Sequence, residues 1–220
     1  MNRADLAARV DHTMLRPEAT RAEIETAARE AVELGCASVC VQPSMVSFAA
    51  EVVGDRIVVC SVVGFPHGAT LSRVKADEAA AAVALGAGEI DMVIDLSLVA
   101  EGDFASATAD VAAVRESVPG VVLKVIVESA LWSPSQLRAV CDAAVSGGAD
   151  YVKTSTGFHP AGGASIEAVG SMAETVGTRA RVKASGGIRS LDQAMAMIDA
   201  GADRLGLSAT AAVLNGFDDS

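Results

Sequence analysis

Apolar and β-branched residues collect in eight short runs along the chain, around positions 10–13, 38–42, 57–64, 89–95, 121–128, 150–155, 180–185 and 204–208. Runs of this length, rich in Val and Ile, read as buried strands. Between them lie alanine-rich stretches such as TRAEIETAAREAVELG, LSRVKADEAAAAVALGAG and DFASATADVAAVRESVPG, whose apolar residues recur at helical spacing. Thr20, Ser72 and Asp103 stand at their starts as helix-opening residues. The phrases ELGCAS, ALGAGE, SGGADY and DAGADR each put a glycine near a helix end, just ahead of the next strand. Eight strand–helix alternations in 220 residues predict a parallel sheet, and a compact (β/α)8 TIM barrel fits the count best. A doubly wound open sheet is the alternative, weakened by the lack of a GxGxxG loop. No proline-rich linker, composition break or low-complexity tract interrupts the pattern, so residues 1–220 are expected to form a single domain.

Against this background the placement of lysine stands out. The chain has 17 Lys plus Arg, and only Lys75, Lys124, Lys153 and Lys183 are lysines. Lys75, in SRVKADE, reads as an ordinary helix-face residue. The other three interrupt strands, in VVLKVIVE, DYVKTS and RVKASGG. A charge inside a buried strand is costly unless paired or solvated, so three of them predict a shared polar interior. Strand alternation puts Lys124 and Glu128 on one face, which leaves Lys124 either an ion-pair partner or a participant in chemistry. Lys153 and Lys183 fall near the ends of the sixth and seventh strands, neighbours in a barrel. A nearby positive charge or desolvation lowers the pKa of a lysine and frees its amine as a nucleophile. Two adjacent lysines could equally clamp an anion. Spacing leaves both roles open.

The run GAGEIDMVIDL puts Glu89, Asp91 and Asp95 on one parity and Ile90, Met92 and Ile94 on the other. Asp95 is a candidate helix cap. Asp91 sits deeper and needs a cation, either in a carboxylate–lysine set that moves protons or in a plain buried ion pair. Asp11 and Thr13, in RVDHTML, follow the same alternation. The seventh and eighth strands end in KASGGIR and RLGLSAT, where glycines ahead of a helix can expose N–H groups to a phosphate. The loops after barrel strands 7 and 8 are the usual phosphate site of this fold. Gly186, Gly187, Gly206 and Ser208 are the candidates, with Arg189 beside them.

Composition narrows the partners. A net charge of −11, 3% aromatics and no basic run disfavour nucleic acid and membrane surfaces, so an anionic small-molecule substrate needs a local positive site. No apolar run approaches the ~18 residues of a membrane span, and MNRADLAARVDHTML lacks a signal-peptide core, so a cytoplasmic protein is expected. Cys36, Cys40, Cys60 and Cys141 show no CxxC spacing and read as reduced thiols, Cys40 apart packing as small hydrophobes. His12, His67 and His159 have no ligand spacing, so no metal or cofactor is expected; His67 and His159 read as loop residues.

The phrases DHTML, ASVCVQP, GFPHG, EIDMVI, KVIVE, YVKTSTGF, VKASGGIR and RLGLSAT, in this order over nearly the whole chain, resemble the deoxyribose-phosphate aldolase family, Schiff-base aldolases of the (β/α)8 class. YVKTSTGF together with VKASGGIR is the most specific part. The resemblance implies reversible, metal-independent cleavage of 2-deoxy-D-ribose 5-phosphate to acetaldehyde and D-glyceraldehyde 3-phosphate, in deoxyribose phosphate catabolism. It implies that Lys153 is the Schiff-base nucleophile, that Lys183 perturbs it and joins the proton relay, and that Asp91 works with water as acid and base. It also implies that Gly157, Gly186, Gly187 and Ser208 hold the phosphate. Asp11, Thr13, Lys124 and Thr156 are supporting candidates. Cys40 matches a family cysteine near the active-site mouth, where electrophilic aldehydes would meet it. Some relatives carry a lysine where Phe158 stands, so the resemblance implies one phosphate contact fewer here. Some carry a C-terminal tyrosine that assists proton transfer; this chain ends in NGFDDS, and its one tyrosine is Tyr151. A homodimer is the family-level expectation. Two other readings fit the residues: a phosphosugar lyase or isomerase on the same barrel, with Asp91 or Glu128 as base and the lysines as clamps, or a non-catalytic phosphosugar-binding protein.

Overall fold

A computed structural model describes residues 1–217; the last three letters of NGFDDS lie outside the described residues. The eight strands are β1 (Val10–Met14), β2 (Ser38–Val41), β3 (Val58–Val63), β4 (Glu89–Val93), β5 (Val122–Ile126), β6 (Tyr151–Lys153), β7 (Arg181–Ser185) and β8 (Arg204–Leu207). Each pairs in parallel with the next, and β8 returns to β1 through Val10↔Leu205 and Asp11↔Gly206, which closes the barrel and excludes the open sheet.

The helices are α1 (Arg3–Ala7), α2 (Arg21–Leu34), α3 (Val46–Val53), α4 (Ser72–Ala84), α5 (Leu96–Glu101), α6 (Phe104–Ser117), α7 (Pro134–Ser146), α8 (Ile166–Val176), α9 (Leu191–Asp199) and α10 (Thr210–Asn215). None of these is long and apolar enough to cross a membrane. Thr20 caps α2 in a capping box with Glu23, and Asp103 caps α6 through the Ser106 N–H. Ser72 is the first helical residue of α4 rather than its cap; Leu71 holds that position without a side-chain bond. Asp95 caps α5, as its place at a strand end suggested.

The hydrophobic core lies between the barrel and its helices. Outward residues such as Ile90, Met92, Leu123, Val125, Val152 and Leu205 pack there with helix residues including Ile24, Val111, Val140 and Met172, all fully buried. Each such side chain contributes about 1.5–3 kcal/mol. A smaller apolar cluster, Leu15, Cys40, Cys60 and Val62 with Phe65 against it, stands apart from that layer.

Lys75 overturns its sequence reading. It is wholly buried, with Nζ 2.7 Å from Asp110 Oδ2 and 3.0 Å from the Val93 carbonyl. The alanine-rich α4 carries no strong apolar stripe, so its sequence does not say which face turns inward. The buried face is the one with Lys75, Ala79 and Ala82. Gly64 leaves room for the lysine stem: a Cβ there would stand 3.1 Å from Lys75 Cε. Asp110 on α6 also accepts the Asp95 N–H at 3.0 Å, so one buried pair ties α4, α6 and the end of β4. Removing one partner of a buried pair leaves an uncompensated charge, whereas replacing both with apolar residues costs far less. Asp110→Ala is expected to lower stability by about 3–5 kcal/mol. Lys75→Met/Asp110→Leu is expected to lose less than the single variant, both read from urea denaturation midpoints.

Candidate active site

Strand register assembles the charged residues. β4 and β5 align Asp91 with Lys124, β6 and β7 align Lys153 with Lys183, and β7 and β8 align Lys183 with Arg204. The side chains converge on two carboxylates. Asp91 Oδ2 accepts from Lys153 Nζ at 2.8 Å and Lys183 Nζ at 2.7 Å, and Asp91 Oδ1 accepts from Lys124 Nζ at 2.8 Å and the Cys60 thiol at 3.2 Å. Asp11 binds Lys183 through Oδ2 and Arg204 through Oδ1, the latter at 2.7 Å. Lys124 also pairs with Glu89 at 2.6 Å. Four cations therefore meet three carboxylates in a barrel interior that commonly holds aliphatic side chains.

This convergence sets the protonation states. Burial on its own would raise the Asp91 carboxyl, but Lys124, Lys153 and Lys183 together hold it well below the ordinary carboxylate range. Asp11 is likewise lowered against its burial, by Lys124, Lys183 and Arg204. Burial pulls Lys124 and Lys183 down, yet Asp11 and Asp91 override it and hold both above the ordinary lysine value. Lys183 is thus a fixed ammonium beside Lys153.

Of the three interior lysines, Lys153 is the one that reaches a cleft of about 350 Å³ at the C-terminal ends of the strands. Thr13, Thr156, Gly157, Gly186, Gly187, Gly206 and Ser208 line the same cleft, so the structure brings together all the phosphate candidates. Gly186 and Gly187 take left-handed φ of 87° and 84°, which favours glycine. Gly206 serves by size: a Cβ there would lie 2.9 Å from Ser185 Cβ and 3.3 Å from Lys183 Cε. The β6 and β7 loops are stitched together, with Thr154 Oγ1 donating to the Ser185 carbonyl and Ser185 Oγ to the Ser155 carbonyl. Phe158, half exposed, packs edge-on to Phe65 with ring centroids 5.2 Å apart. Cations line this cleft from elsewhere, as Arg16 and Arg189.

Two expectations are corrected. Lys124 does not pair with Glu128: β5 ends at Ile126, the backbone turns left-handed at Glu128, and its carboxylate accepts from Thr156 instead. The alternation that put the two on one face does not extend past the strand end. Cys40 is not at the cleft mouth. It is fully buried in register with Cys60, beside Leu15, Val62 and Phe65. Cys60 and Arg204 were not singled out from sequence; Arg204 shares strand parity with Gly206 and Ser208, which could have marked it. Cys60 had no such signal, and its thiol is raised well above its ordinary value by burial, Cys40 and Asp91. Cys40, Cys60 and Asp91 are the one described group whose donor atoms, within 4.8 Å of one another, could hold a metal. Both Asp91 oxygens are engaged by ammonium groups, so the set does not fit a resident cation.

Residues 6–216 match the family described as DeoC/LacD family aldolase. The chain is similar to the deoxyribose-phosphate aldolase of Mycolicibacterium paratuberculosis, 59% identical over 98% of both chains. It is 55% identical to that of Kocuria rhizophila over 99% of both. Among solved structures it is similar to a tetrameric deoxyribose phosphate aldolase from Aeropyrum pernix, 37% identical with a TM-score of 0.88 over 99% of this chain and 92% of that one.

The ion cluster makes stability depend on pH at both extremes. The lowered carboxyls of Asp11 and Asp91 contribute stability above about pH 3.9, their unfolded value, and that contribution is lost as pH falls through their folded values. The raised Lys124 and Lys183 contribute below about pH 10.4, and lose it as pH rises through theirs. The difference in denaturation midpoint between the natural chain and Asp91→Asn is therefore expected to be flat from about pH 5 to 9 and to shrink below about pH 4.

Proposed function

The chain belongs to the DeoC/LacD aldolase family, and on that premise we propose that it cleaves 2-deoxy-D-ribose 5-phosphate reversibly to acetaldehyde and D-glyceraldehyde 3-phosphate, through a Schiff base on Lys153. The observation that carries this reading is a single one. Lys153 Nζ stands 2.8 Å from Asp91 Oδ2 and faces the cleft that the glycine loops line.

In the synthetic direction the neutral amine of Lys153 attacks the carbonyl carbon of acetaldehyde, its proton having an acceptor in contact at Asp91. Loss of water gives a protonated imine, so the positive charge beside Asp91 is kept. The imine acidifies the methyl group, whose proton passes through water to the Asp91–Lys183 pair and leaves a neutral enamine. At that point Asp91 has lost one of its cations, and its affinity for a proton rises in the step that requires a base. The enamine carbon attacks the aldehyde of glyceraldehyde 3-phosphate, the new alkoxide takes up the proton, and hydrolysis of the imine releases product and restores Lys153. Lys183 and Lys124 stay charged throughout and hold Asp91 in place. Asp11 orients Lys183, and Thr13 donates to the Asp11 carbonyl at 2.9 Å, behind the wall it helps to form.

The phosphate is assigned to Gly157, Gly186, Gly187, Gly206 and Ser208, with Arg189 and Arg16 as the cations on that side. This offsets the apolar Phe158. The small-molecule substrates call for no metal, membrane or nucleic acid. A cytoplasmic location accords with four free thiols. The assembly is taken to be a homodimer, distinguishable from a tetramer by sedimentation velocity.

Borohydride reduction in the presence of acetaldehyde is expected to add one ethyl group to Lys153 in the natural chain and none in Lys153→Ala, read by peptide mass. Acetaldehyde release from deoxyribose 5-phosphate should vanish in Lys153→Ala. In Lys183→Met, where Asp91 loses a fixed cation that holds it in place as acid and base, it should fall by about 10²–10⁴-fold, the scale of impaired acid–base catalysis. Undiminished release from Lys153→Ala rules out the assignment.

A further inference from the structure

Glu128 carries two costs that the Lys153 cluster does not explain. Its side chain is buried, 1% exposed, and no cation pairs with it among the described residues. It is also the one non-glycine among the described residues with positive φ, 51°. An unpaired buried carboxylate is costly, and a left-handed backbone adds strain for a residue with a Cβ. Such features persist where the surroundings need them.

Among the described residues the carboxylate is met by Thr156 alone. Thr156 Oγ1 donates to Glu128 Oε2 at 2.6 Å, and the Thr156 N–H points at both oxygens at 3.3 Å. Thr156 Oγ1 in turn accepts the Phe158 N–H at 3.1 Å. The backbones on either side run in contact, with Val127 N–H on the Lys153 carbonyl at 2.9 Å and Ser129 N–H on the Thr154 carbonyl at 2.7 Å. Glu128 thus extends the contact between the ends of β5 and β6 by one side chain, as far as the turn 156–158. That turn lines the cleft; Glu128 lies behind it. The Thr156 and Phe158 N–H groups are used within this unit, while among the described residues the Gly157 N–H between them bonds no other group.

We propose that Glu128 is a positioning residue for the phosphate end of the substrate. Through Thr156 it fixes the turn 156–158 so that, of the three N–H groups in that turn, the one of Gly157 is left for the cleft. This rests on the aldolase reading and adds a residue that touches neither substrate nor Lys153. The roles are separable, because the turn acts on the phosphate and not on the carbonyl carbon. A purely repulsive role for the charge makes the opposite prediction, since its removal would then tighten phosphate binding.

The test compares 2-deoxyribose 5-phosphate with unphosphorylated 2-deoxyribose in Glu128→Ala and Glu128→Gln. Glu128→Ala is expected to raise KM for the phosphorylated sugar roughly tenfold, the scale of one lost hydrogen bond to a charged group, with kcat little changed. kcat/KM for the unphosphorylated sugar should hold. Glu128→Gln keeps one acceptor for the Thr156 hydroxyl and should recover most of the loss. Thr156→Val, which removes that hydroxyl, should reproduce the KM effect and supplies the answer if Glu128→Ala does not fold. Equal losses on both sugars, an unchanged KM, or a lower KM on removing the charge each overturn the proposal. Acetaldehyde trapping by borohydride in the natural chain separates the two levels. No adduct there sinks the aldolase reading itself, whereas a normal adduct with the wrong KM pattern sinks only the role of Glu128.

Discussion

Charge in a closed barrel has to be neutralised by other charge. Little water reaches the interior to screen it, so every ammonium that enters needs a carboxylate within contact distance. Here Asp91 is the hub, with Lys124, Lys153 and Lys183 all within 2.8 Å of its oxygens. Asp11 and Glu89 meet the remaining positive charge, that of Arg204 included. The shape of the cleft floor, the fixed protonation of Lys183 and the place of Lys153 all follow from this one meeting of charges.

Such an interior is affordable because the fold draws its stability from elsewhere. The aliphatic faces of the strands turn outward against the helices, and there the fully buried Val, Ile, Leu and Met side chains accumulate. The two layers alternate residue by residue along each strand, as Ile90 and Met92 alternate with Glu89 and Asp91. One layer can therefore hold strongly interacting ions while the other stays close-packed. The small cluster of Cys40, Cys60 and Val62 is the exception, and it brings a thiol against Asp91.

The barrel was legible in the sequence because strand runs alternate eight times with helix-spaced stretches, and the period-two parity of strand 4 already separated Asp91 from its apolar neighbours. Lys153 and Lys183 were legible because lysine is rare in this chain and these two fall on consecutive strands. Lys75 was not, since an alanine-rich helix offers no contrast between its faces, and its partner Asp110 lies 35 residues away on another helix. Lys124 was assigned the wrong partner because alternation was carried past the point where the strand ends. Cys60 looks like any small apolar residue until register sets it beside Asp91, which a single strand read alone cannot reveal. The nucleophilic role proposed for Lys153 came from family phrases; spacing left it level with an anion clamp.

The pairing of β1 with β8 has a consequence in time as well as in space. Asp11 meets Lys183 across 172 residues and Arg204 across 193, among the longest sequence separations the chain permits. Contacts so distant form late, since a long loop must close before they can repay the entropy of closing it. Lys183 therefore gains its second carboxylate only when the first strand and the last come together. β8 bridges β7 and β1, so the ring that holds Asp11 near Lys183 is not closed without it. The last strand of the barrel is thus the one that brings Arg204 to Asp11 and completes the charge network.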